Sequence, residues 1–167
     1  MRRFTLNGEN LSLGTGNILA AIRTAADKAT AGGEIAINRV EISQSGSTTS
    51  AQCRAELFKR DTAGTLTVTS ATPAPINPVG GPASGIAGNT ALAGGAARCG
   101  VNSSADSGGA YVSLRQFNFN NLNGYMWIPT PEERIVVPPA MIFGVRFLAA
   151  PGTTTGWTIA VDFEELA

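Results

Sequence analysis

The segment Gly156-Trp157-Thr158-Ile159-Ala160-Val161-Asp162-Phe163-Glu164 places a large apolar side chain at every odd position from Trp157 to Phe163. Thr158, Asp162 and Glu164 occupy the other parity, with small Ala160 between them. Period-two alternation marks a strand with one face on a core and the other on water. Upstream, Met141-Ile142-Phe143-Gly144-Val145-Arg146-Phe147-Leu148 has a wholly apolar odd face. The polar, Gly-bounded Pro151-Gly152-Thr153-Thr154-Thr155-Gly156 lies between them. The two segments are therefore expected to pair as an antiparallel hairpin.

Other segments follow the same logic. Glu34 to Ser43 carries Ile35, Ile37, Val40 and Ile42, so its apolar parity switches near Asn38, as a β-bulge would cause. Gln52 to Lys59 sets Cys53, Ala55 and Leu57 against Arg54 and Glu56. Thr65 to Thr69 is β-rich, and Ala110 to Phe119 also switches parity, between Leu114 and Phe117. Tyr125 to Ile128 and Arg134 to Val137 are short strands bounded by Pro129, Pro131, Pro138 and Pro139, which suit strand ends and sheet edges. Ile18 to Lys28 is Ala-rich with Asn17 as a candidate cap, and it reads equally as helix or strand. At least seven short-spaced strands with Gly/Pro turns predict an all-β fold, a β-sandwich of jelly-roll type formed by one domain over residues 1–167.

Residues 70–109 stand apart. Nine Gly, nine Ala and four Pro leave almost no large apolar side chains there, so the stretch offers little to a core. It is expected to be an irregular insert, either a solvated loop or an arm that orders against a partner.

Composition narrows the chemistry. Of the 167 residues 14% are charged, and twelve Lys+Arg balance twelve Asp+Glu, which gives no broad electrostatic footprint for nucleic acid or an anionic membrane. The chain contains no histidine, which removes the commonest metal ligand and the commonest general base. Polar Asn7 to Asn10 follow Arg2-Arg3 where a signal peptide would be apolar, and no apolar run is long enough to span a bilayer, so a soluble, unexported chain is expected. On that basis the sequons at Asn10 and Asn102 are chance matches. Cys53 and Cys99 are expected as unbridged thiols, Cys53 buried in its strand, and two cysteines without histidine cannot build a zinc site within one chain.

Each candidate constellation falls short. Ala105-Asp106-Ser107-Gly108-Gly109 nearly repeats the nucleophile run of trypsin-like proteases, but Ser107 has no histidine to take its proton. Lys28 and Lys59 are the only lysines for a Ser-Lys arrangement, and Lys59 beside Arg60 and Asp61 reads as a solvated strand end. Glu132-Glu133-Arg134 reads as a solvated loop, and Asp162, Glu164 and Glu165 as the solvated outer face of a terminal strand. Gly14-Thr15-Gly16 lacks the Lys-Ser/Thr ending of a phosphate loop. Phe117, Phe119, Tyr125, Trp127, Phe143, Phe147, Trp157 and Phe163 are assigned to the core ahead of a ligand platform. No catalytic, cofactor-binding or metal-ligating residue is assigned, and no cofactor is expected.

A set of segments carries a resemblance. It comprises Gly14 to Leu19, Ile37-Asn38-Arg39-Val40-Glu41-Ile42-Ser43, the turn Gly46 to Ser50, and Glu56 to Thr65 with its Arg60-Asp61-Thr62-Ala63-Gly64-Thr65 turn. To these are added Ser70 to Pro82, Trp127-Ile128-Pro129, Glu133 to Val137, and the closing Asp162-Phe163-Glu164-Glu165-Leu166. Together they resemble small all-β proteins encoded by tailed phages and prophages, in which such a turn and a terminal Phe-Glu-Glu recur. The turn here is one residue longer than in that pattern. The resemblance implies a non-enzymatic virion protein, a capsid decoration or cement protein of jelly-roll type made in the host cytoplasm and placed on the capsid surface. The implied partners are the major capsid protein and further copies of the chain, as a homotrimer, with no nucleic acid or membrane. A tail or head-fibre component and a carbohydrate-binding β-sandwich for host attachment are the alternatives. Burial of Trp127 and Trp157 would weaken the carbohydrate reading.

Overall fold

The computed structural model describes residues 2–14, 17–76 and 82–166; Thr15, Gly16 and residues 77–81 of the segments quoted above lie outside them. Among the described residues fourteen strands form two sheets. The first contains β1 (Arg2–Leu11), β3 (Ile35–Gln44), β6 (Ala74–Pro75), β11 (Tyr125–Trp127), β12 (Ile135–Val137) and β14 (Trp157–Glu165), in the order β11-β3-β14-β1-β6 with β12 also on β3. The second contains β2 (Ile18–Arg23), β4 (Gln52–Asp61), β5 (Leu66–Ser70), β7 (Ala87–Gly88), β8 (Ala91–Leu92), β9 (Arg98–Asp106), β10 (Tyr111–Asn120) and β13 (Met141–Phe147). Its order is β10-β4-β13-β2-β9-β5-β8, with β7 on β9. The sheets pack face to face as a β-sandwich around Phe4, Leu6, Ile37, Val40, Leu57, Phe143, Trp157, Ile159, Val161 and Phe163.

The expected hairpin is not formed. β13 pairs with β2 and β4, whereas β14 pairs with β3 and β1, so consecutive strands lie in opposite sheets. Both expose an apolar odd face, and facing each other across the core buries both faces at once. Phe147 and Trp157 meet there with ring centroids 4.7 Å apart. The connection between them is long enough to cross the roughly 10 Å between packed sheets. The same crossing recurs from β1 to β2, β3 to β4 and β10 to β11.

The parity switch near Asn38 has the expected cause. The register of β3 against β14 slips at Asn38, so Ile35 and Ile37 share the inner face with Val40 and Ile42. The register of β10 against β4 slips at Leu114 in the same way. Ile18 to Arg23 resolves as a strand, buried at every residue.

The 70–109 segment differs from expectation. It contains the nine-residue β9, paired with both β2 and β5, and its Ile86, Leu92, Cys99 and Val101 are buried. Small residues permit this role. A Cβ on Gly100 would lie 2.3 Å from a Val68 methyl carbon, so the strand packs at backbone distance from its neighbour.

The second sheet also buries its outer face. Ile18, Ala21, Phe58, Leu66, Val68, Leu92 and Ile142 form a second apolar cluster there, flanked by Tyr111. In a flat sheet β4 and β9 would be about 14 Å apart, three strand spacings. Arg60 of β4 nevertheless pairs with Asp106 of β9, so the sheet curls enough to bring these two strands together at one corner. Phe58 lies across Gly144, where a Cβ would sit 2.4 Å from its ring.

Candidate functional site

The densest polar cluster closes that curl. Arg60 is 0% exposed although it lies near a strand end. Its guanidinium donates to the Asp106 carboxylate and to the backbone carbonyls of Asp61, Ala63 and Gly108. Four acceptors around one planar fork satisfy a buried cation as few other arrangements can. Asp106 also accepts from the Tyr111 hydroxyl, and burial together with that bond raises the tyrosine's pKa. The Tyr111 ring lies under Arg146, 4.0 Å from guanidinium to centroid, and Arg146 pairs with buried Glu56 at 2.6 Å. Gly109, at φ +132°, passes so close that a Cβ would stand 2.5 Å from Arg60 Nε.

This assembly contains Ser107 and explains its surroundings. Ser107 Oγ accepts from the Thr65 amide at 2.7 Å and donates to the Thr65 carbonyl at 3.1 Å. Both capacities of the hydroxyl are used to join the β9–β10 turn to the β4–β5 turn. The geometry is that of a clasp: Arg60 and Ser107 tie two loops together. Lys59 neighbours the clasp without joining it, and Lys28 pairs with Glu34 at 2.7 Å. The two lysines and Ser107 are therefore not brought together as a nucleophile and base.

The acidic run of β14 departs from expectation. β14 is not terminal in its sheet but lies between β3 and β1. Glu164 is 0% exposed, flanked by Arg134 at 3.6 Å and Arg3 at 4.0 Å, and neither carboxylate oxygen has a hydrogen-bond partner. Glu165 pairs with Arg2 at 3.1 Å and accepts from the Ser84 hydroxyl and Gly85 amide. Asp162 pairs with Arg39 at 2.9 Å. These carboxylates fasten the chain start and the 84–85 segment to the centre of the sheet. Glu132 and Glu133 remain exposed in a 3-10 turn, where Glu133 caps Thr130. Among the described residues no three His, Cys, Asp or Glu side chains gather as a metal set.

The aromatic residues close one side of the sandwich. Phe117 and Tyr125 stack at 3.7 Å, Phe119 bridges to Phe147, and Trp157 meets Phe119 edge-on at 6.2 Å. Trp127 is 7% exposed and Trp157 0%, so neither indole offers a face to a sugar. Nearby, Met126 of β11, Ile128 just after it and Val136 of β12 project outward, all strongly exposed, with Leu122 on the adjoining turn. A shallow depression lined by Glu41, Ser43, Asn123, Gly124, Tyr125 and Met126 borders them. Buried Arg60 and this exposed apolar edge are the two features that the alternation pattern did not disclose. The first carried a signal in the Arg60-Asp61-Thr62-Ala63-Gly64-Thr65 turn.

Cys53 and Cys99 are buried and unbridged. Cys99 shares a cross-strand row with Ile22, Phe143 and Lys59, whereas Cys53 lies six residues along β4 from Lys59. That offset is about 20 Å along the strand, far beyond the reach of a disulfide. Burial pushes the Cys99 thiol up to about 12, and its Sγ donates to the Ala71 carbonyl at 3.1 Å. The folded state thus holds a proton that the unfolded chain releases above pH 9. Its contribution is fully present below that pH and is lost as pH rises toward 12. The stability of the wild type relative to Cys99→Ala should fall by about 3 kcal/mol between pH 8 and pH 11, measured by urea unfolding. A constant difference would show that the thiol ionises freely in the fold.

No family model matches the chain, and no match was found among curated proteins or solved structures.

Proposed function

We propose that this chain is a structural protein of a bacteriophage virion, a capsid decoration protein of jelly-roll type that binds the head shell as a homotrimer. The observation that carries the reading is the strand order. β1-β14-β3-β11 in one sheet and β2-β13-β4-β10 in the other interleave early and late strands, and the chain changes sheet at each step from β1 to β4 and again from β10 to β11, β12 to β13 and β13 to β14. This interleaving supports the jelly-roll reading, an architecture shared by viral capsid and lectin domains. Between β4 and β10 the chain adds β5, β7, β8 and β9, which extend the second sheet beside β2, and β6, which extends the first beside β1.

Side-chain chemistry supports a scaffold role. Buried Arg60, the buried carboxylates of Glu56 and Glu164 with their arginine partners, and the Ser107 hydroxyl are engaged in joining turns and strands to one another. Outward-facing apolar side chains gather instead at the edge formed by Met126, Ile128 and Val136. Methionine and aliphatic side chains on a rigid rim suit protein–protein contact. On a shell with many equivalent positions, threefold symmetry lets three weak contacts act together. Buried Trp127 and Trp157 weigh against the sugar-binding alternative.

The reading is tested by quantifying the protein in purified particles of the phage that encodes it. A decoration protein is present in hundreds of copies, set by the lattice. About a dozen copies or fewer, the number a tail or fibre symmetry provides, would replace the shell reading with a tail or fibre one.

A further inference from the structure

The chain contains two Asn-Gly dipeptides, Asn7-Gly8 and Asn123-Gly124. Asparagine before glycine is prone to cyclise, because glycine has no side chain to hinder its amide nitrogen or restrict its backbone. The fold treats the two differently. Asn7 lies within β1, opposite Ala160 of the central strand β14, and its Oδ1 accepts from the Thr5 hydroxyl at 3.0 Å. Gly8 beside it is buried. Reaching a cyclisation geometry there requires β1 to leave the sheet.

Asn123 lies in the turn between β10 and β11 and is exposed. Its neighbours are held. Asn120 donates to Ser50 Oγ and accepts from the Leu122 amide, and buried Asn121 bonds to Gln44, Ser47, Thr49 and Ala51. The Asn123 side chain has no hydrogen-bond partner among the described residues. The Gly124 amide donates to the Asn120 carbonyl at 3.1 Å, a bond that local fraying of the turn releases.

We infer that Asn123 is a self-modification site, converting to aspartate and isoaspartate with water as the co-reactant. The Gly124 nitrogen attacks Asn123 Cγ, a C–N bond forms, and the Cγ–Nδ2 bond breaks. Ammonia leaves, carrying the proton from the Gly124 amide. Water then opens the succinimide at either carbonyl, leaving one carboxylate where a neutral amide stood. The new charge falls in the depression that already holds Glu41, beside exposed Met126. In the isoaspartyl product the backbone gains a methylene just before Gly124, a residue so closely packed that a Cβ on it would lie 2.7 Å from the Ile42 carbonyl oxygen. Conversion therefore alters the apolar edge at which β11 pairs with β3.

The test is peptide mapping by mass spectrometry after incubating the folded protein in mildly alkaline buffer. The peptide holding Asn123 should gain the mass of the amide-to-acid exchange and split into aspartyl and isoaspartyl forms. Asn7 should convert at least about ten-fold more slowly, since opening a central strand costs more than fraying a turn. In denaturant the two sites should react at similar rates. Asn123→Gln, which would need a larger ring, should abolish the folded-state conversion. Equal rates at the two sites in the folded protein, or an intact Asn123 after Asn7 has reacted, would overturn the assignment.

Discussion

Trp157→Ala is expected to lower the free energy of unfolding by about 3–5 kcal/mol. The indole is fully buried between the sheets, packed against Phe147 and Phe119, and its Nε1 donates to the Thr153 carbonyl at 2.9 Å. Alanine removes the largest side chain from the inner face of β14 and leaves that carbonyl without its donor. Trp157→Phe should cost less, because an aromatic ring keeps most of the packing. Equilibrium denaturation followed by far-ultraviolet circular dichroism measures both, free of the change in fluorescence. A loss within about 0.5 kcal/mol for the alanine variant would mean that the inward face of the last strand is the other one.

Arg60→Ala should cost a similar amount, about 3–5 kcal/mol, through a different cause. Here the loss is not apolar area but a buried cation whose removal leaves Asp106 and three carbonyls facing a void. Arg60→Lys should recover little of the stability, since an ammonium cannot fork to four separated acceptors. The double variant Arg60→Ala/Asp106→Ala should be less destabilised than the sum of the single changes. Additive losses, measured by denaturant unfolding, would show that Arg60 and Asp106 do not act as one lock.

What was legible in the sequence follows burial. β14 alternates cleanly because only its inner face is apolar until Glu164, so its period was plain. Ile18 to Arg23 is buried on both faces, and continuous burial erases the period that separates strand from helix. The parity switch at Asn38 was readable as a bulge because apolar residues resume on the same face after the slip. Partner choice was not readable. The apolar faces of β13 and β14 are satisfied equally by pairing side by side or by facing across the core, and local pattern does not distinguish these. β9 was hidden for another reason. Its small residues fit close strand packing, and composition alone equates small with irregular.

The site was legible only as an inventory of residues. The absence of histidine directed attention away from acid–base chemistry, and the Arg60 turn was visible as a motif. Its purpose appeared only when the curl of the second sheet brought Asp106, Ser107 and Gly108 against it. Glu164 looked solvated because alternation assigns it to the polar face, and Glu165, which has the parity of Phe163, because of its charge alone. The flanking arginines come from β1 and from the residue before β12, which are distant in sequence.

The most direct test of the proposed function adds purified protein to undecorated capsids of a phage whose genome carries this sequence and follows saturation by sedimentation and quantitative mass spectrometry. The proposed function predicts a trimer in solution that binds intact shells and saturates in threes at lattice-defined positions. A monomer that leaves the shells bare at every concentration would contradict it.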